Sequence, residues 1–194
     1  LNEQFRMPEN IGNLISTLFY ENKLTNGQAK DINNFLDPDN IIRWVDVSGK
    51  HEFDGTSSYN LKEVDSIVNL LQKISLYLEK KKVCKSIGII TPYSAQKRKI
   101  RNKIKTLNLL NISNLKIDTV DSFQGEEADI IIYSTVKTYG NISFLIDKKR
   151  LNVAISRTKE NLIFIGKKSF FSNAKVKNNE TNLFKQIITY IQNT

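Results

Sequence analysis

The chain has 194 residues, 40% hydrophobic and 25% charged, with 8 glycines and 3 prolines; this is enough for one packed domain and excludes disordered, collagen-like and multidomain readings. A lone cysteine, Cys84, and a lone histidine, His51, exclude an internal disulfide and a Cys/His zinc set. The net charge of +9 is one-sided: residues 1–97 carry 12 Lys and Arg against 12 Asp and Glu, residues 98–194 carry 17 against 8, a field that suits a polyanionic partner or a lysine-rich solvated face.

In chain order, Pro8 followed by Ile11, Leu14, Ile15, Leu18 and Phe19 has the spacing of a helix with proline in its first turn. The start, Leu1-Asn2-Glu3-Gln4-Phe5-Arg6, lacks signal-peptide order, and no run approaches the ~18 apolar residues of a membrane span, so an intracellular protein without membrane contact is expected. Ile41 to Val47 reads as a strand, Ser48 to Ser58 as a polar loop, and Asn60-Leu61-Lys62-Glu63 as a capping arrangement ahead of a helix through Val64, Ile67, Leu71, Ile74 and Leu78. Ser86 to Thr91 reads as a buried strand, and Ser94 as the cap of a basic helix bearing Ile100, Ile104 and Leu107. Lys116 to Val120 and Asp129 to Val136 are further strands, the second β-branched enough to be covered on both faces. A helix at Leu151, Ala154 and Ile155, a strand at Leu162 to Ile165, a loop at Asn173 to Asn182 and a helix over Leu183, Phe184, Ile187, Ile188 and Ile191 complete the pattern. Strands alternating with helices predict a parallel sheet with helices on both faces and ligands beyond the carboxyl ends of its strands.

Four polar clusters fall between these elements. Gln4-Phe5-Arg6-Met7-Pro8 offers an aromatic and an arginine for a base and a phosphate, or a helix start with Phe5 tucked inward. Thr91-Pro92-Tyr93-Ser94-Ala95-Gln96 puts hydroxyls at a helix N-terminus, suited to a phosphate oxygen or to capping alone. Thr119 to Asp129 combines hydroxyls, an amide, Gly125 and the acids Asp121, Glu126, Glu127 and Asp129. It reads as a nucleotide and nucleic-acid contact, as a carboxylate set holding Mg²⁺, or as a solvated acidic turn. In Lys148 to Thr158, Arg150, Ala154 and Arg157 share one helix face by spacing; a solvated basic helix is the alternative.

The order Leu-x-x-Gln-Phe-Arg-Met-Pro (1–8), Ile-Ile-Thr-Pro-Tyr-Ser-Ala-Gln (89–96), Thr-Val-Asp-Ser-Phe-Gln-Gly-Glu-Glu-Ala-Asp (119–129) and Arg-Leu-Asn-Val-Ala-Ile-Ser-Arg-Thr (150–158) resembles the C-terminal motor domain of superfamily one helicases. Within them it is most similar to the branch of the nonsense-mediated-decay RNA helicase, senataxin and the immunoglobulin-mu-binding helicases. The resemblance implies that residues 1–194 are one RecA-like α/β domain, a three-layer parallel sheet with helices on both faces. It would be the second of two that clamp ATP and Mg²⁺ between them and hold single-stranded DNA or RNA across them, translocating 5′ to 3′. By the same resemblance Arg6 and Arg157 reach the terminal phosphates, Phe5 stacks beside the adenine, Glu127 contacts the ribose, Gly125 admits the nucleotide to the backbone and Arg150 braces the nucleotide side. Gln124 couples nucleotide to nucleic acid, and Thr91, Pro92, Tyr93, Thr119 and Ser122 hold the nucleic-acid strand. Glu126 stands where the family often has a basic residue, making the local field more acidic, and the loop from Val136 to Phe144 is shorter than usual.

None of the eight glycines begins a Gly-x-x-x-x-Gly-Lys-Ser/Thr loop. The expectation is therefore the back half of a motor, inactive alone, with the phosphate-loop domain as its partner and no metal ligand of its own. A non-catalytic nucleic-acid-binding module and an Mg²⁺-dependent nuclease using Asp121, Glu126, Glu127 and Asp129 are the alternatives. His51 reads as a solvated loop residue, Trp44 as core, and Cys84 is assigned no chemistry.

Overall fold

The computed structural model describes residues 3–177 and 179–194; Leu1 and Asn2 of the first motif, and Asn178 of the predicted surface loop, lie outside them. A short strand β1 (Glu3–Gln4) leads into helix α1 (Glu9–Phe19), and β2 (Thr25–Asn26) pairs with β1 in parallel. Pro8 sits at the N-cap of α1, its carbonyl accepting from the Gly12 amide at 2.9 Å. Next come β3 (Ile42–Asp46), a hairpin of β4 (Glu52–Asp54) and β5 (Ser57–Tyr59), α2 (Leu61–Lys81), β6 (Lys85–Thr91) and α3 (Ser94–Ile104). The chain continues through β7 (Ile112–Thr119), a 3₁₀ turn (Asp121–Phe123), β8 (Ala128–Ser134), α4 (Lys148–Ile155), β9 (Thr158–Gly166), α5 (Lys168–Asn173) and α6 (Leu183–Asn193).

Five strands form one parallel sheet in the order β3-β9-β8-β6-β7. The two-residue alternation of a strand decides which side chain goes to which layer. Ile87, Ile89, Ile130, Ile132, Ile163 and Ile165 meet the apolar faces of α2 and α3, while Ile90, Ile131, Tyr133, Leu162 and Phe164 meet α1, α4, α5 and α6. The architecture is thus the expected three-layer α/β fold. Trp44, expected in the core, is half-buried and packs against it, stacked on Phe164 with ring centroids 5.5 Å apart and its Nε1–H donated to the Gly166 carbonyl at 2.9 Å.

Asn60 caps α2, its Oδ1 accepting from the Lys62 and Glu63 amides at 3.1 and 3.3 Å. Glu63 does not accept from the Asn60 backbone amide as a capping-box acid does, that amide donating to Gln96 Oε1 at 2.8 Å, and meets the cap only at Asn60 Nδ2, 3.5 Å away. It is fully buried and accepts from the Ser134 hydroxyl at 2.7 Å and from the Val136 amide at 2.9 and 3.0 Å. Val136 holds φ 71° there, a left-handed conformation costly for a β-branched residue.

The sequence reading needs four corrections here. The stretch predicted as a loop holds the β4–β5 hairpin, whose two-residue loop is Gly55-Thr56 with Gly55 at φ 62°; glycine at the first loop position is its local signal. Ser94 does not cap α3: it is the first helical residue, and the Ala95 amide donates instead to Ser57 Oγ of the hairpin at 3.0 Å. Leu107 lies beyond the end of α3. His51 is not solvated but 2% exposed, its Nδ1 accepting from the Thr138 amide at 3.2 Å.

Candidate functional site

Two polar surfaces lie at opposite edges of the sheet. At the amino-terminal edge, Glu127 immediately precedes β8 and Arg157 immediately precedes β9, and the two strand starts are joined by the Ala128 amide donating to the Arg157 carbonyl at 3.1 Å. Arg6, just before α1, reaches the same place: its Nε is 3.1 Å from Glu127 Oε2, and its Nη1 donates to the Ser156 carbonyl at 3.3 Å. Lys159 Nζ approaches Glu127 Oε1 at 2.6 Å. Three cations thus surround one carboxylate, and Lys159, Arg6 and Arg157 hold the Glu127 pKa below the usual carboxylate range against the opposing effect of partial burial. Burial and the neighbouring Arg6 guanidinium push the Arg157 pKa down, with Glu127 opposing them, and its buried Nε has no hydrogen-bond partner among the described residues. A surplus of half-buried guanidinium with one unsatisfied donor is suited to a multiply charged anion.

At the carboxyl-terminal edge, the ends of β6, β7 and β8 and the β4–β5 hairpin enclose a groove of about 590 Å³. Pro92, Tyr93, Ser94, Thr119 and Ser57 line it, with Lys137 and Arg150 on its rim. Arg150 donates to both Asp121 oxygens at 3.2 and 2.9 Å and lies 4.3 Å over the Phe144 ring. Burial pushes the Tyr93 hydroxyl up to about 12 against the opposing Arg150 charge, so it acts as a neutral donor. Thr119 Oγ1 donates to Ser122 Oγ at 3.1 Å, whereas Thr91 is fully buried.

One segment joins the two edges. Parallel pairing requires the chain to travel from the far end of β7 back to the near end of β8, and residues 120–127 do so with only the 3₁₀ turn Asp121–Phe123 in place of a crossover α-helix. Phe123 anchors the crossing: it is 1% exposed and lies over Gly88 in the middle of β6, where any Cβ would strike its ring. Gln124 follows, exposed, and Gly125 turns the chain with φ 85° into open space.

The structure therefore brings Arg6, Glu127 and Arg157 together, with Phe5 nearby, 65% exposed and not tucked inward, its ring over Gly27. It does not bring Arg150 to them. Helix α4 ends at Ile155, so Arg157 leaves the helical register assumed from spacing and the two arginines serve opposite edges. The rule placing ligands beyond carboxyl strand ends covers the groove and misses the arginine cluster, since Glu127 and Arg157 precede their strands. The four acids do not converge: Asp121 pairs with Arg150, Glu126 with Lys116 at 2.7 Å, Glu127 with Arg6 and Lys159, and Asp129 accepts from the Ser86 amide and hydroxyl at 2.8 Å each. No group of three or more His, Cys, Asp or Glu among the described residues can hold a metal, which removes the carboxylate-bound Mg²⁺ of the nuclease alternative. Lys116 also offsets the acidity expected from Glu126. Sequence reasoning missed Lys159, Lys137, Ser57 and Phe144; of these only Lys159, next to Thr158, adjoins one of the four motifs.

Residues 1–169 match a family described as the AAA domain. Helicase sen1 of Schizosaccharomyces pombe is 35% identical over 86% of this chain and 10% of its own length. An uncharacterized ATP-dependent helicase of Methanocaldococcus jannaschii is 33% identical over 90% of this chain and 27% of its own. The regulator of nonsense transcripts 1 homolog of Drosophila melanogaster is 31% identical over 95% of this chain and 16% of its own. The chain thus spans about a quarter or less of each of these relatives. No helix among the described residues is long and apolar enough to cross a membrane.

Proposed function

This chain belongs to the AAA-domain family, in the branch carried by superfamily one helicases, and from that premise we propose that it is the second motor domain of an ATP-dependent nucleic-acid translocase. The observation that carries the reading is the cluster of Arg6, Glu127 and Arg157, with its surplus cationic charge and the unpartnered Arg157 Nε. Arg6 and Arg157 project toward the terminal phosphates of an ATP bound on a preceding phosphate-loop domain, where they stabilise the charge that spreads over the transferring phosphoryl group. Glu127 keeps the guanidiniums apart while the site is empty of phosphate, and then turns to the ribose hydroxyls. Phe5, exposed on its glycine shelf, presents a stacking face to the adenine, and Mg²⁺ ligands come from the other domain. The groove at the opposite edge holds single-stranded DNA or RNA, with Thr119, Ser122 and Tyr93 on the backbone and Arg150 on this side rather than the nucleotide side. The 120–127 crossing links the two, with Gln124 and Gly125 midway, so that a shift of Glu127 against nucleotide is felt at Thr119. The branch resemblance supports 5′ to 3′ movement and an intracellular setting.

Because the chain contains no phosphate-binding loop, the purified 194-residue chain is expected to hydrolyse ATP no faster than buffer, with Mg²⁺ and single-stranded nucleic acid present. Phosphate-release assays check this, and metal-dependent turnover by the chain alone would contradict the division of labour.

A further inference from the structure

The β4–β5 hairpin carries an aromatic, Phe53, at an outer face that the core does not bury. Every residue of β4 is exposed, and Phe53 is 57% exposed. A two-stranded hairpin is marginal by itself, yet this one is held in place: Ser57 Oγ accepts from the Ala95 amide, and Asp54 pairs with Arg98 at 2.7 Å. Facing it across the rim, the loop after β8 presents Tyr139, 49% exposed, and Phe144, 51% exposed. The Tyr139 ring is not free to turn, because it stacks on buried His51 with centroids 3.9 Å apart and planes 29° apart. His51 meets Phe53 edge-on at 5.3 Å. Burial, then Lys137, pushes the His51 pKa down to about 4, so the ring is neutral and stacks as an apolar slab near neutral pH. Between the two exposed rings sits Lys137, its ammonium 5.8 Å from the Phe53 centroid and 6.0 Å from that of Tyr139, with no ion pair to any acid among the described residues.

Solvent-facing rings held rigid and interleaved with an unpaired cation match the pattern that receives bases and phosphates of a single strand. We propose that Phe53, Tyr139 and Phe144 form a base-stacking platform that continues the groove outward onto the hairpin, with Lys137 placed on the phosphate between stacked bases. This rests on the reading of the groove as a nucleic-acid track and adds to it that the strand is gripped by its bases. Stacking on a ring tolerates any base, so the platform carries no sequence preference.

The test compares, by fluorescence anisotropy on the 194-residue chain, an oligothymidylate of about twelve nucleotides with an abasic strand of equal phosphate number. The expected result is tighter binding of the base-bearing strand by roughly 5- to 100-fold, a gap that Phe53→Ala narrows and Phe53→Trp restores. Phe53 is exposed, so neither change threatens the fold; Tyr139→Ala provides the second ring. Equal binding of the two strands, or a Phe53→Ala variant that keeps the full gap, overturns the platform and leaves the groove reading standing. Failure of both strands to bind overturns both.

Discussion

Arg157→Ala in the intact protein that carries this domain is expected to lower ATP turnover by about 10³–10⁵-fold, the range of an arginine finger, and to leave single-strand affinity unchanged. The separation follows from the fold: Arg157 lies just ahead of β9 at the amino-terminal edge, while the groove lies beyond the carboxyl ends of β6, β7 and β8, and the crossing that links the two edges runs from Glu127 rather than from Arg157. Arg157→Lys keeps a charge but loses the planar fork and should recover only part of the rate. Steady-state kinetics beside binding titrations separate the outcomes, and a variant that hydrolyses normally would take Arg157 out of the phosphate site.

Glu63→Ala is expected to cost about 3–5 kcal/mol of folding stability. The substitution removes an acceptor shared by Ser134, Thr135 and the Val136 amide and leaves buried donors unsatisfied beside a cavity. The strained Val136 turn loses its anchor with it, so the loop bearing Lys137, Tyr139 and Phe144 should loosen and the groove weaken. Burial pushes the Glu63 pKa up from 4.5 to about 8, outweighing the opposing pull of the Ser134, Val136 and Thr135 donors. The folded chain then keeps a proton that the unfolded chain releases. The stabilisation is present in full below about pH 4.5 and is lost as pH rises through about 8. Urea unfolding across that window checks the slope, and Glu63→Gln, which keeps an acceptor for Val136, should remove it at a smaller cost in stability. His51, whose pKa burial lowers to about 4, adds an opposite slope common to both proteins, so a pH dependence left unchanged by Glu63→Gln would show that Glu63 stays ionised.

Local pattern made the strand–helix alternation legible, because Ile-rich runs such as 87–90 and 130–132 bury on both faces and the stripe of α1 has a single period. Asn60 was readable as a cap for the same local reason. Side chains whose partners lie far along the chain were not readable: His51 is buried by Thr138 and Tyr139, Ser57 caps a helix nearly forty residues on, and Glu63 is claimed by β8 rather than by its own helix start. At the site, spacing found Arg6, Glu127 and Arg157 but mistook how they meet. Helix α4 stops two residues before Arg157, which its pattern had included, and the 120–127 segment returns across the sheet, carrying Glu127 to the opposite edge from Thr119. The four acids looked like a cluster because sequence shows neighbours along the chain and not the separate cations, Arg150, Lys116, Arg6 and Lys159, that divide them.

The most direct measurement is a crystal structure of the intact protein with a transition-state analogue of ATP and a single strand. The account predicts the Arg6 guanidinium released from Glu127, and both it and that of Arg157 within hydrogen-bonding distance of the terminal phosphate mimic, with the strand across the groove at the other edge of the sheet. A nucleotide bound with Arg6 still closed on Glu127 and Arg157 away from the phosphates, or lying in the groove beside Tyr93 and Thr119, would contradict it.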